Sequence, residues 1–170
     1  MWDGSSWTSR DYSDEYFTVF QPACVPAWTL SCPWDLNSWI NNGAGSTDVM
    51  DFYSCNSVDY TGPEYAYSFS TPDTKQVTVT LTGMSADLDL LVLEGSSCYP
   101  TDCIAVSDYA GTTDEEVTFT AAAGVDYRIV VDGYAGATSS YTVELACSDG
   151  LIFSDGFEGG GTSAWDVSFP

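Results

Sequence analysis

Val77-Thr-Val-Thr-Leu-Thr82 alternates apolar and hydroxyl side chains at period two, the pattern of a strand with one face buried and the other in water. Outward from it the pattern recurs. Tyr65, Tyr67 and Phe69 share one face against Glu64, Ala66 and Ser68, and Val117 and Phe119 alternate with Glu116, Thr118 and Thr120. Tyr127-Arg-Ile-Val-Val-Asp132 and Tyr141-Thr-Val-Glu-Leu-Ala146 add two more strands, punctuated by Gly124, Gly133 and Gly136. The run from Leu88 to Leu93 is apolar on both faces, which marks a strand covered on both sides. Short strands between turn signals, with hardly any helical periodicity, predict an all-β antiparallel sandwich or jelly roll.

The charge balance narrows the function. In 170 residues, 25 Asp and Glu stand against Arg10, Lys75 and Arg128, a formal net charge of −22, where small soluble domains usually carry a magnitude of about 2–8. Binding nucleic acid or an anionic membrane needs clustered Lys and Arg, and three cations cannot supply it. There is no histidine, which removes Ser-His-Asp and Cys-His catalysis and the usual zinc cages. Nothing singles out a catalytic carboxylate pair, so the chain is not expected to be an enzyme. Carboxylates with backbone and Asn carbonyls suit a hard cation such as Ca²⁺. Six cysteines without a Cys-x-x-Cys pair favour disulfides and an oxidising, extracellular compartment. Proximity suggests Cys24 with Cys32 and Cys98 with Cys103, leaving Cys55 with Cys147, although six cysteines allow 15 connectivities. Met1-Trp-Asp-Gly4 shows no secretory signal, so the sequence reads as a mature, secreted form. No stretch approaches the roughly 20 apolar residues that span a bilayer.

Three regions are expected: a Trp/Ser-rich N-terminal extension over 1–50, the sandwich over 51–147, and a Gly-rich tail over 148–170. In the first, Trp2, Trp7, Trp28, Trp34 and Trp39 are expected to lie over the sandwich as a lid or to form a sugar-stacking platform. Tyr16–Phe20 reads as a strand. In Ser31–Ile40, Leu36, Trp39 and Ile40 share one helical face and Pro33 suits a first turn, predicting a turn or two of helix.

Tyr53-Ser-Cys55, Gly62-Pro-Glu64 leading into Tyr65–Phe69, Ala86-Asp-Leu-Asp-Leu-Leu-Val-Leu93, Gly124-Val-Asp-Tyr-Arg-Ile-Val-Val-Asp-Gly-Tyr134 and Tyr141–Cys147 together resemble the bacterial pre-peptidase C-terminal domain family over about residues 52–147. The stretch from Ile152 to Trp165 is similar to a short motif that often ends secreted bacterial proteins, with Gly159-Gly-Gly161 where Ser-Gly-Asp is usual. The resemblance implies a compact β-sandwich, a non-catalytic appendage of exported peptidases and other proteins, with some relatives binding Ca²⁺.

Asp87 and Asp89 lie a pleat apart on one face, opposite Leu88, Leu90 and Val92, and such carboxylates repel unless a cation or donors intervene. The resemblance places the strands bearing Glu64 and Asp132 beside this one, so Asp87, Asp89, Glu64 and Asp132 form the expected metal site. Turn-organising hydrogen bonds are the other reading of these acids. Asp11, Asp14 and Glu15 form a second acidic group, and Asp155, Glu158 and Asp166 a third. None has EF-hand spacing.

The expected function is a secreted, calcium-associated structural subunit that assembles head to tail into an extracellular filament. Apolar patches at Tyr16–Phe20, Leu151–Phe153 and Ala164–Phe169 would be exchanged between copies as added strands. The alternative is a monomeric secreted module that binds polysaccharide or another protein.

Overall fold

The computed structural model describes residues 25–149. They form two packed sheets, as the alternation predicts, built from β1 (Trp28–Thr29), β2 (Trp34–Ile40), β3 (Tyr65–Ser70), β4 (Lys75–Thr82), β5 (Leu88–Glu94), β6 (Cys103–Ser107), β7 (Glu115–Ala121), β8 (Asp126–Gly133) and β9 (Ser140–Ser148). One sheet runs β1-β3-β8-β5-β6 and the other β2-β9-β4-β7. All neighbours are antiparallel except the short β1–β3 pair. Between the sheets lie Tyr65, Tyr67, Phe69, Val77, Val79, Leu81, Leu88, Leu90, Val92, Val117, Phe119, Ile129, Val131, Val143 and Leu145. These are the inward positions that period two assigns.

The five-stranded sheet also has a covered outer face. Met50, Tyr53 and Tyr60, from the loop over residues 50–62, pack on Ala66, Leu91, Leu93 and Val130. Leu88–Leu93 is buried at every position because its odd residues meet this loop and its even residues meet the core. The loop closes down beside the end of β8, where the Gly62 N–H donates to the Gly133 carbonyl at 3.0 Å. A Cβ on Gly62 would collide with that same backbone.

Two expectations are corrected. Trp34–Ile40 is a strand, not a helix, and pairs along its whole length with Ser140–Ala146. The helical spacing of Leu36, Trp39 and Ile40 is outweighed by the open edge of β9, whose carbonyls and amides need partners, and Trp and Ile suit a pleated surface. Residues 28–40, expected in an extension, therefore supply two strands of the sandwich. All three expected disulfide pairings are also replaced: Cys32 bonds Cys147 and Cys55 bonds Cys103, and Cys98 is disulfide-bonded without using Cys103. Sequence proximity misleads because the β2–β9 register sets Trp34 against Ala146, bringing cysteines 115 positions apart side by side. Cys24, Trp2, Trp7, the Tyr16–Phe20 strand and the acidic groups at 11–15 and 155–166 lie outside the described residues.

The lid expectation fails for the tryptophans that are described. Trp28 is 53% exposed and Trp34 56%. Trp39 turns to the sandwich rim, its ring 6.2 Å from that of Tyr65.

Candidate functional site

Strand register assembles an unusual row on the covered outer face of the five-stranded sheet. Asp89 on β5 lies opposite Asp132 on β8. Tyr65 pairs with Val131 and Leu90 with Ser107, so continuing each ladder by one residue sets Glu64 beside Asp132 and Asp108 beside Asp89. Four carboxylates thus cross the sheet in the order Glu64, Asp132, Asp89, Asp108, on strands spaced about 4.8 Å apart. Like charges placed opposite each other destabilise a sheet. Three of the four expected metal residues, Glu64, Asp132 and Asp89, stand in this row. The fourth, Asp87, precedes β5 on the same side and acts electrostatically on Asp89.

The row divides into two halves by hydrogen bonding. Glu64 is wholly buried, yet its Oε1 accepts from the Thr47 hydroxyl at 2.6 Å and from the Val49 N–H at 3.1 Å. Asp132 accepts the Tyr53 hydroxyl at 2.6 Å on Oδ2 and the Gly133 N–H at 2.7 Å on Oδ1. Burial raises the Glu64 carboxyl above the usual range, against the pull of its donors. Burial likewise pushes Asp132 up to about 9, with Glu64 and Asp89 adding repulsion and the Tyr53 bond opposing it. This half fits the turn-organising reading better than metal ligation, because both Asp132 oxygens and the Glu64 carboxylate already serve protein donors.

The other half has fewer donors than acceptors. Asp89 is 2% exposed, and burial, then Asp87, Glu115 and Asp108, push it up to about 7. Glu115, at the start of β7, is wholly buried. Its Oε2 accepts a short hydrogen bond from Ser107, but its Oε1 has no partner. Asp87 Oδ1 and Asn56 Oδ1 are also buried without partners, while Asn56 Nδ2 donates to Asp108 at 3.1 Å and to the Tyr60 hydroxyl at 2.7 Å. Tyr53 and Tyr60, edge to face with centroids 5.0 Å apart, roof the row, and the Cys55–Cys103 bond ties their loop to β6. Among the described residues no three carboxylate or thiol side chains converge closely enough to grip a metal in their present positions. Asp108, Glu115 and Asn56 were not expected from sequence. Each joins through the strand order, and no local spacing announces it.

Residues 66–133 match the model of the bacterial pre-peptidase C-terminal domain family. The matched segment contains Asp87, Asp89, Asp108, Glu115 and Asp132, while the roofing loop and Glu64 precede it. No curated protein matches the chain in sequence. Among solved structures, the pre-peptidase C-terminal domain of a collagenase from Bacillus anthracis is 16% identical, with a TM-score of 0.43, covering 71% of this chain and 90% of that one. A periplasmic inhibitor of g-type lysozyme from Salmonella Typhimurium is 11% identical, with a TM-score of 0.39, covering 71% of this chain and 96% of that one. A carbohydrate-binding module solved with calcium and xylotriose is 15% identical, with a TM-score of 0.38, covering 68% and 98%. The disulfides fit an oxidising compartment. No helix among the described residues is long and apolar enough to cross a membrane.

The second candidate surface lies on the opposite side of the molecule, on the outer face of the four-stranded sheet. Trp34, Leu36, Ser38 and Ile40 of β2 stand beside Ala146, Glu144, Thr142 and Ser140 of β9. The Trp34 indole donates from Nε1 to Glu144 Oε1 at 2.8 Å. Beyond β9 the face continues through Thr78 and Thr80 to Thr118 and Thr120, with hydroxyl contacts Ser38–Thr142 at 2.9 Å and Thr78–Thr118 at 3.1 Å.

Proposed function

We propose that the chain is a secreted, non-catalytic binding module whose ligand is a neutral polysaccharide laid across the outer face of the four-stranded sheet. One observation carries this reading: Trp34 is more than half exposed, yet its indole is anchored by a hydrogen bond to Glu144. A free tryptophan on a surface is costly to leave in water, and a fixed indole presents the face that stacks on the C–H side of a sugar ring. Ser38, Thr142, Thr78 and Thr118 supply hydroxyls beside it for the sugar's own. A net charge of −22 repels polyanions, which limits the ligand to an uncharged chain.

The test is depletion from solution by a panel of insoluble neutral polysaccharides, with tryptophan fluorescence for soluble oligosaccharides. Trp34→Ala should weaken binding at least tenfold and leave the melting temperature nearly unchanged, because the ring is not in the core. Absence of binding to every neutral glycan, or undiminished binding by Trp34→Ala, would remove this reading. The filament reading rests on Tyr16–Phe20, Leu151–Phe153 and Ala164–Phe169, which lie outside the described residues, whereas the module reading rests on described side chains and on the family match.

A further inference from the structure

β2 is an open edge of the four-stranded sheet, and such an edge invites another strand unless Pro, Lys or a bulge guards it. Trp34–Ile40 contains neither Pro nor Lys, and its register with β9 is unbroken. Four of its seven side chains, Trp34, Leu36, Trp39 and Ile40, are large, apolar and exposed. The other edges differ: β1 has two residues, β6 exposes only Ile104, and β7 buries Val117 and Phe119.

The free backbone groups of β2 follow from its ladder. The Cys147 N–H donates to the Pro33 carbonyl and the Asn41 N–H to the Ser139 carbonyl, so odd residues face β9 and even residues face outward. Two outward groups are already occupied. The Leu36 N–H donates to Asp35 Oδ1 at 2.9 Å, and the Ile40 carbonyl accepts the Gly43 N–H at 3.1 Å. The Leu36 carbonyl, the Ser38 N–H and carbonyl, and the Ile40 N–H have no partner among the described residues.

We propose that β2 pairs antiparallel with β2 of a second copy of this chain, about a two-fold axis at Ser38. In that register the two Ser38 residues exchange both backbone hydrogen bonds, and each Leu36 carbonyl accepts the N–H of the partner's Ile40. The two occupied groups fall opposite each other and stay as they are. A register centred one or two residues to either side would call on the Leu36 N–H or the Ile40 carbonyl. Side chains follow the same symmetry, because residues directly opposite share a face: Leu36 covers the partner's Ile40 twice over, and Trp39 meets the partner's Asn37. Charge singles out this edge as well. Each copy carries a net −22, yet no charged residue lies between Leu36 and Thr47, so here a second acidic copy meets the least repulsion. Asp35, the one charge in β2, falls opposite the partner's Asn41 and not another acid. The contact is isologous and closes at two copies, joining two four-stranded sheets into one of eight with both Trp34 side chains on the same outer face. One strand pair buries less than the roughly 1,200 Å² of a stable interface, so the dimer is weak and depends on concentration.

The experiment is sedimentation velocity on the full 170-residue chain, from about 5 to 500 µM in about 0.3 M NaCl, which screens the repulsion between acidic copies. Monomer should give way to dimer and to nothing larger. Ser38→Pro removes an outward N–H and none that β9 uses, which an edge strand accommodates, so it should weaken the dimer at least tenfold. Leu36→Glu, at an exposed position, should do the same with the melting temperature nearly unchanged. Adding Ile40→Lys to Leu36→Glu should restore the dimer, because the new charges pair across the axis. Oxidation should link Ser38→Cys into covalent dimers, since residues exchanging both hydrogen bonds sit with Cα atoms about 5.5 Å apart, within disulfide reach. Thr118→Cys, on the far strand of the same face, should stay monomeric. A monomer across the whole range, or a dimer undiminished in Leu36→Glu, would overturn the proposal. Cross-linking of Thr118→Cys as readily as Ser38→Cys would overturn the register, and growth beyond two copies would overturn its closure. No glycan is present, so either result leaves the polysaccharide reading where it stands.

Discussion

Asn41 is wholly buried and ties together three stretches of chain. Its Nδ2 donates to the carbonyls of Pro63 at 2.7 Å and Ala137 at 3.0 Å, and its Oδ1 accepts the Ser139 N–H at 2.9 Å. The amide therefore locks the end of β2 to the segment that delivers Glu64 and to the turn between β8 and β9. Truncation would strand two carbonyls and an amide in a dry place, and each such orphan costs about 1–3 kcal/mol. Asn41→Ala is expected to lose about 3 kcal/mol or more by urea unfolding, and a loss below about 1 kcal/mol would contradict this role. Nothing in Asn41-Asn-Gly-Ala-Gly45 distinguishes the first asparagine from the second. Its importance comes from partners 22 to 98 positions away. The acids show the same limit. The nearness of Glu64, Asp132 and Asp89 was legible because the family resemblance set their strands alongside, and that of Asp87 to Asp89 because they lie a pleat apart. Asp108, Glu115 and Asn56 were not, since each enters from a loop or strand start whose position depends on the order of strands in space. The division of the row into satisfied and unsatisfied halves is equally hidden, because the donors Thr47, Val49 and Tyr53 carry no sign of it in their own spacing.

At the scale of elements, strands that alternate over six or more residues were readable, as was the doubly apolar run of β5, while β1, β2 and β6 were missed. β4 and β7 have one wet face and one dry face along their length, so period two survives in the sequence. β2 is an edge strand with an exposed Trp34, Leu36 and Ile40, and the resulting apolar residues at 36, 39 and 40 imitate a helix stripe. Its strand state is dictated by β9, not by its own residues. The disulfides follow from the same pairing. In the chain-entropy model, a bond closing 115 residues stabilises by about 5 kcal/mol and one closing 48 by about 4 kcal/mol. Cys147→Ser and Cys103→Ser should therefore be similarly costly, within about 1 kcal/mol of each other in denaturant titrations. A far smaller loss for Cys103→Ser would restore the local Cys98–Cys103 pairing, and peptide mapping without reduction checks the partners directly.

At the scale of the molecule, one sheet is covered on both faces and the other on one. The five-stranded sheet carries the roofed acidic row, and the four-stranded sheet offers its hydroxyl and tryptophan face to solvent, so the two candidate sites occupy opposite outer sides with the shared core between them. The Cys32–Cys147 bond adds a property of another kind. β2 begins and β9 ends at the same corner, with Trp34 against Ala146, so everything from β2 to β9 starts and finishes side by side at a covalent clasp, with only the short β1 before it. Tension applied to the two ends of the chain runs from Cys32 to Cys147 through sulfur, and the strands between them bear none of it. An oxidised molecule pulled in a force spectrometer should show no lengthening from the segment between the clasped residues. After reduction the same 115-residue separation should be released, about 400 Å of contour at roughly 3.5 Å per residue. A release of that size from the oxidised molecule would show that the clasp does not close the sandwich. With it closed, the binding faces keep their shape under any load the bonds themselves survive, and the sandwich behaves in a stretched chain as a fixed bead on a thread.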